Sequence, residues 1–217
     1  MAEAVPFSTA ALADRLVVAR VDWNLTSQDE YSGTGDSEAL NHNLGSRLWM
    51  GDITTRAWPH LAARAVMSRV DMLDDGAIPF YLYNPLGCYP AYDPGGTKLG
   101  ANVATIHTLS GNNKEMRLTG LPAGYVLTEG DLLAFDYDLT RRAMLRIAKT
   151  VTANGAGLTP LFEFRPHAPL GTAAAIVVTL IKPAAKVKLV SGSARMEQVA
   201  GTTSRIRLRV RQTLLKE

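Results

Sequence analysis

The chain has 217 residues, 47% of them hydrophobic and 20% charged, and a formal net charge of +3. That length buries a full core and holds one domain or two small ones, and so small a charge does not imply nucleic-acid binding without local clustering. The single Cys88 excludes an internal disulfide and a cysteine-built metal site, and reads as a small packed residue. The N-terminus carries Glu3 and Asp14 and no basic start, so it does not read as a secretory signal. The longest apolar run, Ala173 to Ile181, is far short of the roughly 20 residues that span a bilayer.

Leu16 to Leu25 reads as a strand, with Leu16, Val17, Val18, Val21 and Trp23 apolar and mostly β-prone. Thr26 to Asn43 is polar and carries Gly33, Gly35, Asp36 and Ser37, which predicts a long loop. Arg47 to Thr55 reads as a second strand with Leu48, Met50 and Ile53 inward. Trp58 to Leu73 predicts the one helix, with Pro59 at its first position and a stripe of Leu61, Ala62, Ala65, Val66, Val70 and Leu73. Gly76 closes it. Asp71, Asp74 and Asp75 crowd its C-terminal end, where the macrodipole disfavours anions; they read as a solvated end or a site for a cation or a neighbour's arginine.

Ile78 to Tyr83 reads as a short aromatic strand. Asn84 to Gly100 is then a loop rich in Pro and Gly, in which Tyr89 and Tyr92 stand out as anchors for a partner or as covers for the edge of their own sheet. Five strands follow, around Val103–Leu109, Met116–Leu118, Leu132–Tyr137, Ala143–Val151 and Thr159–Phe164. Their spacing predicts a small barrel or sandwich. Phe135 with Tyr137, and Phe162 with Phe164, share strand faces and either fill the barrel or stack bases. Ala174–Ile181, Val187–Val190 and Arg205–Leu214 are expected to return to the first sheet. Residues 1–98 and 172–217 would then form one discontinuous domain, with residues 99–171 inserted as a small barrel.

The residues that carry chemistry are not gathered into motifs. His42, His60, His107 and His167 lack ligand spacing, and no nucleophile elbow or P-loop occurs. Gly33-Thr34-Gly35 and Gly155-Ala156-Gly157 are not followed by a predicted helix, which argues against phosphate binding. Asp136 and Asp138 lie on one strand face rather than across a cleft. The expectation is therefore no catalytic residue, no cofactor, no metal and no enzyme activity.

The turns do form an ordered pattern: Gly120-Leu121-Pro122-Ala123-Gly124, then Leu127-Thr128-Glu129-Gly130-Asp131, then the Val151 to Gly157 run with its Asn154-Gly155 turn, then Leu161 to Pro166. From about Ser46 to the end this order resembles the distal tail protein family of long-tailed, siphophage-like bacteriophages. The resemblance implies a mainly β chain: a ring-forming β-sandwich with one α-helix, plus an inserted OB-like barrel. It also implies a structural virion protein, typically hexameric, that joins the tail tube to the tip and baseplate hub. Its partners would be its own copies, the tail tube protein and the hub proteins. DNA would pass through the ring without specific binding and without membrane insertion, the protein being made in the host cytoplasm and residing at the tail tip. The rival readings are another tail completion or baseplate adaptor protein, and an OB-type module binding nucleic acid or carbohydrate.

Arg205-Ile206-Arg207-Leu208-Arg209-Val210-Arg211 alternates without interruption, so a strand puts four arginines on one face. Arg205, Arg207, Arg209 and Arg211, with Tyr89 and Tyr92, are the candidate subunit interface. Bare arginines on a channel wall would grip the DNA backbone. The expectation is that they meet carboxylates, of the same or a neighbouring subunit, or lie outside.

Overall fold

The structure, a computed structural model, describes residues 4–33 and 39–216. The protein is mainly β, a β-sandwich with one α-helix joined to a small β-barrel. The elements run β1 (Val18–Gly33), β2 (Ala39–Thr55), β3 (Trp58–Pro59), α1 (His60–Asp71), β4 (Phe80–Leu82), β5 (Thr105–Leu109), β6 (Glu115–Thr119), β7 (Val126–Leu127), β8 (Leu132–Asp136), β9 (Arg142–Ile147), β10 (Val151–Thr152), β11 (Phe162–Arg165), β12 (Val178–Thr179), β13 (Ala185–Leu189), β14 (Arg195–Ala200) and β15 (Thr203–Gln212).

The first sheet has the order β1-β2-β15-β13-β4, with β14 and β3 also paired to β15. Its inner face buries Ile53, Ile206, Leu208 and Val210 against Ala63, Val66 and Val70 of α1. β1 and β2 pair antiparallel from Val18↔Thr55 out to Gly33↔Ala39, whereas β15 accompanies β2 only from Met50 to Thr54. The predicted loop from Thr26 to Asn43 is therefore a two-stranded arm. Its polarity reflects exposure of both faces, not irregular backbone: Ser27, Glu30, Ser32, His42 and Leu44 are all exposed, and the ladder supplies the backbone hydrogen bonds. The Gly33-Thr34-Gly35 run falls mostly outside the described residues.

The helix lies where expected, and half of its expected stripe, Val66, Val70 and Leu73, is buried. Ala63, Val66, Val70 and Leu73 are inside, while Leu61 is 77% exposed and Ala62 and Ala65 face solvent. Pro59 is the N-cap, with ψ of 132°, and pairs with Thr203 as part of β3. That holds the helix start one residue later than expected and lets small Ala63 make the close approach to the sheet. At the far end, Asp75 accepts hydrogen bonds from the Ser191 hydroxyl and from the Gly192 N–H at 2.8 Å, so it ties the helix end to the β13–β14 turn.

The second sheet has the order β12-β8-β9-β11-β6-β5. Its two edges meet through Ile106 N–H to Ile176 O (2.9 Å), Ala175 N–H to Ile106 O (2.7 Å) and Val178 N–H to Ala104 O (2.8 Å), which nearly closes a barrel. The five expected strands are present. The sixth, β12, was expected in the first sheet; instead Val178 and Thr179 pair with β8, and Val178 and Leu180 join the barrel core. A two-residue pairing leaves no alternation to read. Phe135, Phe162 and Phe164 are at most 1% exposed, so these aromatic rings fill the barrel. Asp136 is paired with Arg142 at 2.8 Å and Asp138 sits 3.9 Å from Arg141.

The two cores touch through the outer wall of the barrel. Ala134 of β8 and Met144 of β9 are fully buried yet belong to the core of the first sheet. Between them and the first sheet sits Trp49. Its indole N–H donates to Met144 O at 2.7 Å, its ring stacks on Trp23 at 6.2 Å, and the Arg146 guanidinium lies 4.8 Å from the ring centre. Trp23 in turn lies across Gly51, where a Cβ would come within 2.4 Å of its ring. Replacing a fully buried Trp49 with Ala is expected to lower stability by about 3–5 kcal/mol. Trp49→Phe keeps much of the packing but loses the donor and is expected to cost about 1–3 kcal/mol. Urea unfolding followed by circular dichroism reads both.

The segment entering the barrel is held by carboxylates. Asp93 accepts from the N–H groups of Lys98 (3.0 Å) and Leu99 (2.9 Å), with the Tyr125 hydroxyl at 3.5 Å, and Asp131 accepts from Ala91 N–H at 2.9 Å. Burial alone would raise the Asp93 pKa, but the N–H groups of Lys98, Leu99 and Thr97 and the Tyr125 hydroxyl outweigh it and the net direction is down. The unfolded carboxylate therefore takes up a proton first. The stabilisation is full above about pH 4 and is lost as pH falls through the lower folded value. Asp14, lowered by the Tyr83 hydroxyl and Lys182, behaves alike. Asp93→Asn is expected to reduce stability at neutral pH and to flatten, without abolishing, its fall between about pH 4 and 2.

Candidate assembly surface

The alternation in β15 folds as its residues dictate. Ile206, Leu208 and Val210 are at most 3% exposed, Arg207, Arg209 and Arg211 face solvent, and Arg205 is half-buried. The register then sets what each arginine meets. Arg209 lies opposite Asp52 of β2, which lies opposite Asp22 of β1; Arg207 lies opposite Thr54, which lies opposite Arg20.

Asp22 and Asp52 face each other across the β1–β2 pair, an arrangement that costs stability on its own. Each is offset by an arginine on its flank: Arg20 Nη2 is 2.8 Å from Asp22, and Arg209 Nε is 2.6 Å from Asp52. The hydrogen bond that Arg209 donates to Asp52, and then the carboxylate's charge, raise the Arg209 pKa. Arg207 meets Glu197 of β14 at 3.2 Å. Arg205 Nε is buried with no hydrogen-bond partner among the described residues. The rows of side chains border a shallow recess of about 580 Å³, lined by Arg20, Arg205, Arg207 and Arg209 against Asp22 and Asp52. The outer face is thus a ladder of ion pairs with a surplus of arginine, suited to a partner that brings carboxylates.

The two tyrosines are elsewhere. Tyr92 packs edge-on against Tyr125, with centroids 5.5 Å apart, and Lys98 Nζ lies 3.6 Å over its ring. Tyr89 lines a recess with Val21, Trp23 and Arg146. Val21 and Trp23 alternate along β1 with Arg20 and Asp22, so the Tyr89 recess and the arginine ladder lie on opposite faces of the sheet.

The carboxylates were not singled out from the sequence. The signal was the run Arg20-Val21-Asp22-Trp23, which alternates charged and apolar residues as β15 does. Among the described residues, no group of His, Cys, Asp and Glu is arranged to hold a metal ion, and no helix is long and apolar enough to cross a membrane. In comparisons with known proteins, no family model and no curated protein matches the chain.

The pair of Arg209 and Asp52 is about half exposed on both sides, so it contributes little to the stability of one subunit. Arg209→Ala is expected to leave the urea midpoint of the isolated subunit within experimental scatter. A large drop would mean that the ladder holds the fold itself.

Proposed function

We propose that the protein is a structural virion component, a distal tail protein that assembles into a hexameric ring between the tail tube and the tip of a long-tailed phage. The observation that carries this reading is the arm. Beyond Leu25 and Trp49 the β1–β2 ribbon pairs with no third strand among the described residues. Leu25 to Gly33 spans about 30 Å, and a two-stranded ribbon of that length is marginal in water unless another surface covers it. In a ring, each arm lies on the next subunit, and the contact is heterologous and closes after a fixed number of copies.

The arginine ladder suits the same role. Its inner members are already engaged by Asp52, Asp22 and Glu197, which leaves fewer free cations to hold a DNA backbone than the sequence pattern alone implies. The sandwich would close the ring, with tube and hub proteins on its two rims, DNA passing through unbound, and the barrel outside. The protein would be made in the host cytoplasm and reside at the tail tip.

Light scattering and negative-stain imaging of the purified chain test this directly. A discrete ring is expected, and a strict monomer at all concentrations and salts would overturn the reading. Replacing residues 28–45 with an Asn-Gly turn is expected to leave a folded subunit with an unchanged core but to abolish the ring. Persistence of the ring in that variant would show that the arm is not the contact.

A further inference from the structure

A cleft lies where the barrel wall meets the first sheet, and the ring reading makes no use of it. It encloses about 450 Å³ and presents Leu170 and Leu214 as apolar lining, with Met144 and Leu145 buried directly beneath. Such a volume matches a small-molecule site. Polar groups from three separate segments converge on it: Arg47 from the base of the arm, Asn112 from the β5–β6 turn, and Arg165 at the end of β11 with His167 just after it. Asn112 Oδ1 is occupied, accepting from Ser110 Oγ at 2.5 Å and Lys114 N–H at 2.9 Å, which leaves its amide nitrogen as a donor.

The charge around the cleft is one-sided. Arg165 pairs with Glu163 at 2.5 Å, but Arg47 and Lys114 have no carboxylate partner among the described residues. His167 registers the imbalance. Burial, followed by Arg165, Lys114 and Arg47, pushes its pKa down, and only Glu163 pulls it up. The imidazole is therefore neutral at neutral pH, able to donate at one nitrogen and accept at the other. Among the described residues, no aromatic ring apart from this imidazole lines the cleft, so they offer neither base stacking nor sugar stacking.

We propose that this cleft binds a small non-aromatic anion with hydroxyl groups, a phosphorylated or carboxylated sugar or polyol. The anionic group meets Arg47 with Lys114 and Arg165 behind it, and the hydroxyls meet Asn112 and His167. The carbon skeleton lies against Leu170 and Leu214, above the buried Met144. Phosphate and carboxylate share this chemistry, since both accept charge-assisted hydrogen bonds from arginine.

The test is a titration of the intact protein, with its methionine methyl groups labelled, against glycerol 1-phosphate, glucuronate and neutral glucose. A saturable shift of the Met144 methyl resonance with either anion, and none with glucose, is the expected result. Whichever anion binds more tightly identifies the source. In the double variant Arg47→Gln, Lys114→Gln, affinity is expected to fall about tenfold. The Met144 resonance of the free variant should stay in place, which separates lost binding from lost folding. No saturable shift with either anion, an equal response to glucose, or unchanged affinity in the folded double variant would overturn the proposal. None of these results depends on whether the chain forms a ring.

Discussion

Trp49 joins the two sheets, and its indole meets three demands at once. The ring is wholly buried, so its N–H needs an acceptor, and Met144 O on the barrel supplies it at 2.7 Å. Its face needs an apolar or cationic neighbour, supplied by Trp23 on one strand and Arg146 on another. Its backbone N–H donates to Gln212 Oε1 at the end of β15. The residue therefore touches β1, β9 and β15, and a shift of any one of them leaves a buried donor or a void. Gly51 serves the same packing from the other side, because only a missing Cβ lets the Trp23 ring lie across β2.

Around that junction, the long β1–β2 arm sets a second constraint. A sheet edge with exposed backbone invites pairing with any other edge. Here β1 is the outer strand, and its solvent face carries Arg20, Asp22 and Asn24 rather than an apolar stripe. Charge keeps the edge soluble while the alternate residues Val21 and Trp23 pack inward. The ion pairs across β1, β2, β15 and β14 are about half exposed and add little to stability.

The barrel was legible because its punctuation is local. Glycines stand where the turns demand them: Gly157 has φ of +72°, and a Cβ there would meet Leu121 O at 2.1 Å. The strands between such turns alternate, and the pattern survives in the sequence. What was not legible depended on distant partners. Asp52 and Arg209 are 157 residues apart, so nothing near either residue announces the pair. The arm was hidden because a ribbon exposed on both faces has no apolar period and shares its composition with loops. Half of the helix stripe was misplaced because Leu61 carries more hydrophobicity than Ala63, although the small side chain is the one that fits against the sheet. The arginine alternation was legible in full; the carboxylates that answer it were not.

The cleft follows from the same arrangement of constraints. The barrel is fixed to the first sheet at its entry by Asp93 and Asp131, and at its exit by Lys186, a lysine 1% exposed whose ammonium donates to Thr140 O at 3.0 Å and reaches Leu215 O at 3.5 Å. A buried ammonium that donates to carbonyls of two separate segments holds both of them close. With entry, exit and Trp49 all tied, the barrel has little freedom to rock against the sheet. The space left between its wall and the base of the arm is then a fixed shape. Because Arg47 belongs to the arm and Arg165 to the barrel, the cleft is walled by both parts at once.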